Sequence, residues 1–155
     1  MEMYLPRRWK PILAMVPLLA AFAAPAGATA SLTCDASDRN LSFELLGNMG
    51  SGNAGSIQLI GGTITLKAIR GKFDKVEFKV ESAHLFGQWN FGKELRIGIE
   101  PEHVGDVSIY LAIIAELTKN ADGDMDRYRG RYVAKIRGPK GETELTGKIK
   151  GCEAG

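Results

Sequence analysis

The chain holds little of the chemistry that most often marks a function. Its 155 residues include two cysteines, Cys34 and Cys152, and two histidines, His84 and His103. All four are scattered, and none sits at the short spacing that zinc ligands use, so no metal site is expected. Neither histidine belongs to a recognisable Ser, Cys or Asp nucleophile motif, so no catalytic residue is expected either. Long apolar runs are also missing. The one candidate, Ile12 to Ala24, is thirteen residues long and is interrupted by Pro17. A bilayer-spanning helix needs roughly 20 apolar residues, so no transmembrane segment is expected.

That short run fits a different purpose. Arg7, Arg8 and Lys10 precede it, Pro25, Ala26 and Gly27 end it, and Ala28-Thr29-Ala30 has the small–x–small form of a peptidase site. These are the three regions of a signal peptide. Residues 1–30 are therefore expected to be a cleaved signal peptide, with Ala28 as the rival cleavage site. Residues 31–155 are expected to form one β domain. The expected address is extracytoplasmic: periplasmic in a bacterium, otherwise secreted. Cys34 lacks the preceding leucine of a lipidation signal, so no lipid anchor is expected.

An excess of one charge is absent as well. Of 20 basic and 18 acidic residues, Arg7, Arg8, Lys10 and Glu2 fall in the first thirty, leaving 17 of each sign. A balanced chain gives no overall field to attract nucleic acid, and no nucleic-acid partner is expected. Any electrostatic function must come from local clustering.

Two cysteines at opposite ends of an exported chain predict a disulfide, Cys34–Cys152. Such a bond brings the first and last strands together, which favours a closed sheet. Period-two alternation supports this. Leu41, Phe43 and Leu45 alternate with polar neighbours, as do Ile64, Leu66 and Ala68 within Thr63 to Arg70. Val76, Phe78 and Val80 face away from Lys75, Glu77, Lys79 and Glu81. Leu95, Ile97 and Ile99 form another set, and Val107 to Ala115 a longer one. Ser56 to Ile60, Tyr128 to Arg137 and Glu142 to Lys150 complete the strands. Val107 to Lys119 also contains good helix formers, but Val, Ile and Tyr in its first half favour a strand. Gly61-Gly62, Gly71-Lys72, Asp122-Gly123 and Gly138 to Gly141 read as turns. The expected fold is mainly β: an antiparallel barrel or flattened sandwich of about eight strands. An outer-membrane barrel is excluded because the faces opposite the core carry Lys, Glu and Arg.

Two loops resemble ligand motifs without completing them. Gly47 to Gly55 is glycine-rich but lacks the Gly-Lys-Ser/Thr ending and the helix that would hold a phosphate, so no cofactor is expected. Asn120 to Asp126 places acids at alternate positions but has Met125 and Arg131 where a calcium loop needs Gly and Glu.

Two segments carry the functional expectation. Aromatics make up only 8 % of the chain, yet Phe86, Trp89 and Phe91 fall within one short stretch. Core packing is their default, and the wall of a small apolar-ligand pocket inside the barrel is the sharper reading. The last hairpin places Arg127, Arg129, Arg131, Lys135 and Arg137 on one face of a strand. A four-residue loop at Gly138 to Gly141 sets Arg137 against Glu142 and Lys135 against Glu144. It also sets Arg131 against Lys148 and Arg129 against Lys150. Like charges face each other there, unless Glu116, Asp124 or Asp126 neutralises them. Arg127, Arg129, Arg131, Lys148 and Lys150 thus form a candidate anion-binding face for an acidic protein, a glycan or a lipid headgroup. The expected function is non-enzymatic binding; a carrier for a small apolar ligand is the alternative.

Overall fold

The computed structural model describes residues 29–50, 56–118 and 125–155. They form β1 (Thr29–Ser37), β2 (Leu41–Gly50), β3 (Ile57–Leu66), β4 (Val76–Glu81), β5 (Leu85–Phe91), β6 (Glu94–Ile99), β7 (Ser108–Thr118), β8 (Asp126–Gly138), β9 (Gly141–Lys148) and β10 (Gly151–Ala154). A short 3-10 turn, Ser82–His84, joins β4 to β5. Every pairing is antiparallel, and nine strands follow one another in the order β4-β3-β2-β1-β10-β8-β7-β6-β5. The result is a nearly closed antiparallel barrel. No helix among the described residues is long and apolar enough to cross a membrane.

Two edges share their partners in an unusual way. The last part of β8 pairs with β9, while its first three residues pair with β10, which continues β9 after a break at residues 149–150. β10 then carries the ladder onward to β1. At the opposite edge, β4 covers Gly61 to Leu66 of β3. β5 reaches the remaining end of β3, where the Ile57 N–H donates to Gln88 Oε1. Asn90 Nδ2 donates to Met49 Sδ at 3.0 Å. These contacts draw β5 and the β2–β3 hairpin together across the seam.

The disulfide joins ladder partners. Cys34 and Cys152 lie directly opposite in the β1–β10 pair, with Cα atoms 4.1 Å apart. The first and last strands of the chain are thus neighbours in space, as a Cys at each end requires.

Alternation explains the core. Leu41, Leu45, Ile64, Leu66, Phe78, Leu95, Ile99, Leu111, Ile113 and Ile136 are all buried on the inner face, together with Tyr132. Within the Val107 to Lys119 segment, Ser108–Thr118 is a strand, β7, with buried and half-buried positions in strict alternation through Ala115. Its β-branched residues pack well on a pleated surface, and that outweighs the helix formers in its second half.

Gly61-Gly62 is not a turn. The segments Ser56–Ile60 and Thr63–Arg70 merge into β3, which runs straight through it. A Cβ at position 62 would lie 2.3 Å from the Glu44 carbonyl oxygen. The glycine is there to permit close backbone approach beside a register shift at Leu46/Gly47, which is what a glycine inside a strand usually signals. Asp122-Gly123, and the 51–55 part of the glycine-rich stretch, lie outside the described residues.

One polar group is anchored within this apolar frame. Tyr132 is fully buried, stands edge-on to Phe43 with ring centroids 5.9 Å apart, and donates its hydroxyl to Asp38 Oδ2. Asp38 Oδ1 accepts from the backbone N–H of Asn40 at 2.8 Å and of Leu41 at 2.9 Å, tying off the β1–β2 turn. Gly147 leaves room for this pair: a Cβ there would lie 2.4 Å from both Asp38 Oδ2 and the Tyr132 ring.

Candidate functional site

The ladder registers allow the outer face of β5 to β9 to be read as rows running across the strands. One row is Trp89, Arg96, Ile114, Arg131 and Lys148, each the direct partner of the next. The row two residues along one side is Phe91, Glu94, Glu116 and Arg129. The row on the other side is Gly87, Gly98, Ala112, Val133 and Thr146. Alternation fixes these side chains outward because their neighbours Leu95, Ile97, Ile113, Ala115, Tyr132 and Ala134 are buried inward.

The aromatic segment is therefore placed differently from expectation. Phe86, Trp89 and Phe91 are 53 %, 53 % and 61 % exposed. They neither pack in the core nor wall a pocket inside the barrel. Pairing explains the correction: Trp89 partners Arg96 and Phe91 partners Glu94, both on the outer face. The β5 residues that partner buried Leu95 and Ile97 are polar, Asn90 and Gln88, and these two make the seam contacts. The inner and outer faces of β5 thus reverse the usual polarity.

On the outer face the aromatics border a groove of about 300 Å³. Trp89, Arg96 and Ile114 line one side. Phe86 and Tyr110, with ring centroids 5.0 Å apart, line the other. Gly87, Gly98 and Ala112 supply small residues between them, and the Phe86 ring lies over Gly98, where a Cβ would be 2.6 Å from it.

The five candidate cations do not act as one cluster. Arg127 ion-pairs with Glu153 at 3.3 Å and Lys150 with Asp35 at 3.0 Å. Arg129 has Glu116 as its ladder partner on β7. Arg131 and Lys148 face each other as the hairpin loop dictates, and Arg131's other neighbour is the apolar Ile114. Among the described residues neither makes an ion pair within 4.0 Å. The sequence pairing of Arg129 with Lys150 is absent from the ladder. The β8–β9 register ends at Arg131–Lys148, and the β8–β10 register begins one residue out of step at Tyr128–Cys152. That break lets Lys150 turn to Asp35.

The other hairpin charges are matched. Arg137 Nε donates to Glu142 Oε2 at 2.8 Å, which lowers the Glu142 carboxyl pKa and raises that of Arg137 through the hydrogen bond first and the opposite charge second. Lys135 faces Glu144.

A second cleft, of about 370 Å³, lies at the end of the barrel where residues 68–74 meet Val107 and Lys140. Arg70, Lys72 and Lys140 line it together with Asp74 and Asp106, so it has no strong preference for one sign of charge. His84 is engaged locally, its Nδ1 accepting from the Glu81 N–H at 2.9 Å. Among the described residues no three His, Cys, Asp or Glu side chains stand close enough to hold a metal ion. Comparison of the chain with protein-family models, curated proteins and solved structures returned no match.

Proposed function

We propose that this is an exported, non-enzymatic binding protein that engages an anionic partner through the outer face of its β8–β9 hairpin. The observation that carries the reading is Arg131 opposite Lys148, two exposed cations side by side that make no ion pair within 4.0 Å among the described residues. Like charges directly opposite in a ladder are unfavourable, and an anionic ligand between them relieves that repulsion. Arg137 and Lys135 of the hairpin already face Glu142 and Glu144, so the pair is a local positive spot on a chain with little net charge. Export follows from the leader pattern of residues 1–30, and a disulfide between the chain's ends suits an oxidising compartment.

The carrier alternative draws its support from the outer groove that Phe86 and Trp89 line.

Charge reversal tests the main reading. Arg131→Glu with Lys148→Glu should lower binding to a polyanionic matrix at least about tenfold, and wild-type binding should weaken steeply with salt, because exposed charges are screened over ~10 Å at moderate ionic strength. Both side chains are exposed, so the variant should fold normally. Retained binding by the double variant, or binding indifferent to salt, contradicts the reading.

A further inference from the structure

We infer that the ligand is an acidic oligosaccharide lying across the strands from Trp89 to Lys148, an inference that rests on the anionic-partner reading and names its ligand class. The row combines an aromatic platform at one end, Arg96 and Ile114 in the middle, and the Arg131–Lys148 pair at the other end. With ~4.8 Å between neighbouring strands, Trp89 and Lys148 are roughly 19 Å apart along the sheet. A single sugar is too short to use both ends; a short chain is long enough.

The chemistry of each end suits a sugar acid. A pyranose ring has an apolar C–H face that lies flat on an indole and a rim of hydroxyls that bond to a guanidinium. Trp89 is 53 % exposed and held on a strand, so its platform exists before the ligand arrives. Arg96 is neutralised by Glu94 at 3.2 Å, which leaves its planar group to bond hydroxyls instead of charge. A carboxylate or sulfate further along the chain meets Arg131 and Lys148, whose charges are free.

Other anionic partners fit less well. A peptide bound by strand addition needs a free backbone edge; β6, β7 and β8 are paired on both sides, and a peptide added at the edge of β5 or β9 would run along the strands and meet only one end of the row. An anionic bilayer would meet the whole face, including Glu94 and Glu116 in the adjacent row, which lies about 7 Å away by strand rise. A ligand one chain wide meets only Glu94, whose charge Arg96 offsets, and passes Glu116 by.

Calorimetric titration of the exported protein with a short oligogalacturonate tests the inference, with poly-glutamate and phosphatidylglycerol vesicles as rival probes. The oligogalacturonate should bind best. Trp89→Ala should weaken it about tenfold, Trp89→Phe should restore most of the loss because stacking survives, and Arg131→Glu with Lys148→Glu should abolish it. If the charge reversal abolishes binding but Trp89→Ala leaves it unchanged, or if poly-glutamate or vesicles bind more tightly, the sugar inference is overturned while the anionic reading stands. If none of the three probes binds, both are overturned.

Discussion

Replacing Cys34 and Cys152 together by alanine should cost roughly 4 kcal/mol of unfolding free energy. The bond spans 118 residues of sequence, so cutting it frees almost the whole folded chain in the unfolded state. Both cysteines are buried, and alanine avoids placing hydroxyls in the core. The loss has a local address too. β10 is four residues long and is the only strand between β1 and β8, so the barrel should first loosen there. Urea unfolding with and without reductant measures the cost. A change below about 1 kcal/mol would mean that the β10 ladders hold the ring without the bond, well short of the loop-entropy expectation. The same unreduced protein, recovered from outside the cytoplasm and weighed intact, should begin at Ser31 and lack the two cysteine hydrogens. A chain that retains residues 1–30 would contradict export.

Tyr132→Ala should be comparably severe, about 3–5 kcal/mol, because it empties a fully buried aromatic site. Tyr132→Phe separates packing from hydrogen bonding. It keeps the edge-on contact with Phe43 but removes the donor to Asp38, and should cost about 1–2 kcal/mol. Acid dependence distinguishes the two effects. Burial raises the Asp38 carboxyl pKa, but the Tyr132 hydroxyl, the N–H groups of Leu41 and Asn40, and the Lys67 charge outweigh it, so the net pKa lies below the ordinary value. Its contribution to stability is therefore present above the unfolded pKa of about 3.9 and is lost as pH falls through the lower folded value. Tyr132→Phe removes one of the lowering causes, so the acid loss due to Asp38 should be smaller than in wild type and complete at a higher pH. Superimposable acid profiles would show that the backbone donors alone hold Asp38 ionised. On the alkaline side, burial first and Asp38 second raise the Tyr132 pKa, so its contribution is fully present below the ordinary tyrosine value and is lost as pH rises beyond that through the raised folded value.

Local patterns carried the fold class further than the site. The alternation of Val76, Phe78 and Val80, or of Ile109, Leu111 and Ile113, reports one buried face directly. The two cysteines report which strands must meet. The Gly138 to Gly141 loop is short enough that Arg137–Glu142, Lys135–Glu144 and Arg131–Lys148 follow by counting, and the structure holds all three. Counting fails two residues later because the strand breaks, and nothing in Ile149-Lys150-Gly151 marks the one-residue shift. β1 was hidden because its small and polar residues alternate weakly and its first two overlap the leader's end. β10 is too short to show a period.

β5 was misread for a different reason. Hydrophobicity alone assigns Phe86, Trp89 and Phe91 to the core, but strand partners decide the face: Trp89 and Phe91 pair with Arg96 and Glu94, and Phe86 sits at a bulge between Leu85 and Gly87 that composition does not reveal. The Asp38–Tyr132 bond spans 94 residues and has no local signature. Large exposed apolar side chains gathered on one strand are the kind of patch that marks an interaction surface.

The central claim is that the outer face of β5 to β9 is the binding face. Backbone amide NMR of the protein during titration with the oligogalacturonate tests it most directly, because each residue reports separately. Shifts concentrated at Trp89, Arg96, Ile114, Arg131 and Lys148, with β2 to β4 silent, are the predicted result. Shifts centred instead on β2 to β4, or on the cleft around Phe73 and Lys140, would contradict the claim and move the site to another part of the barrel.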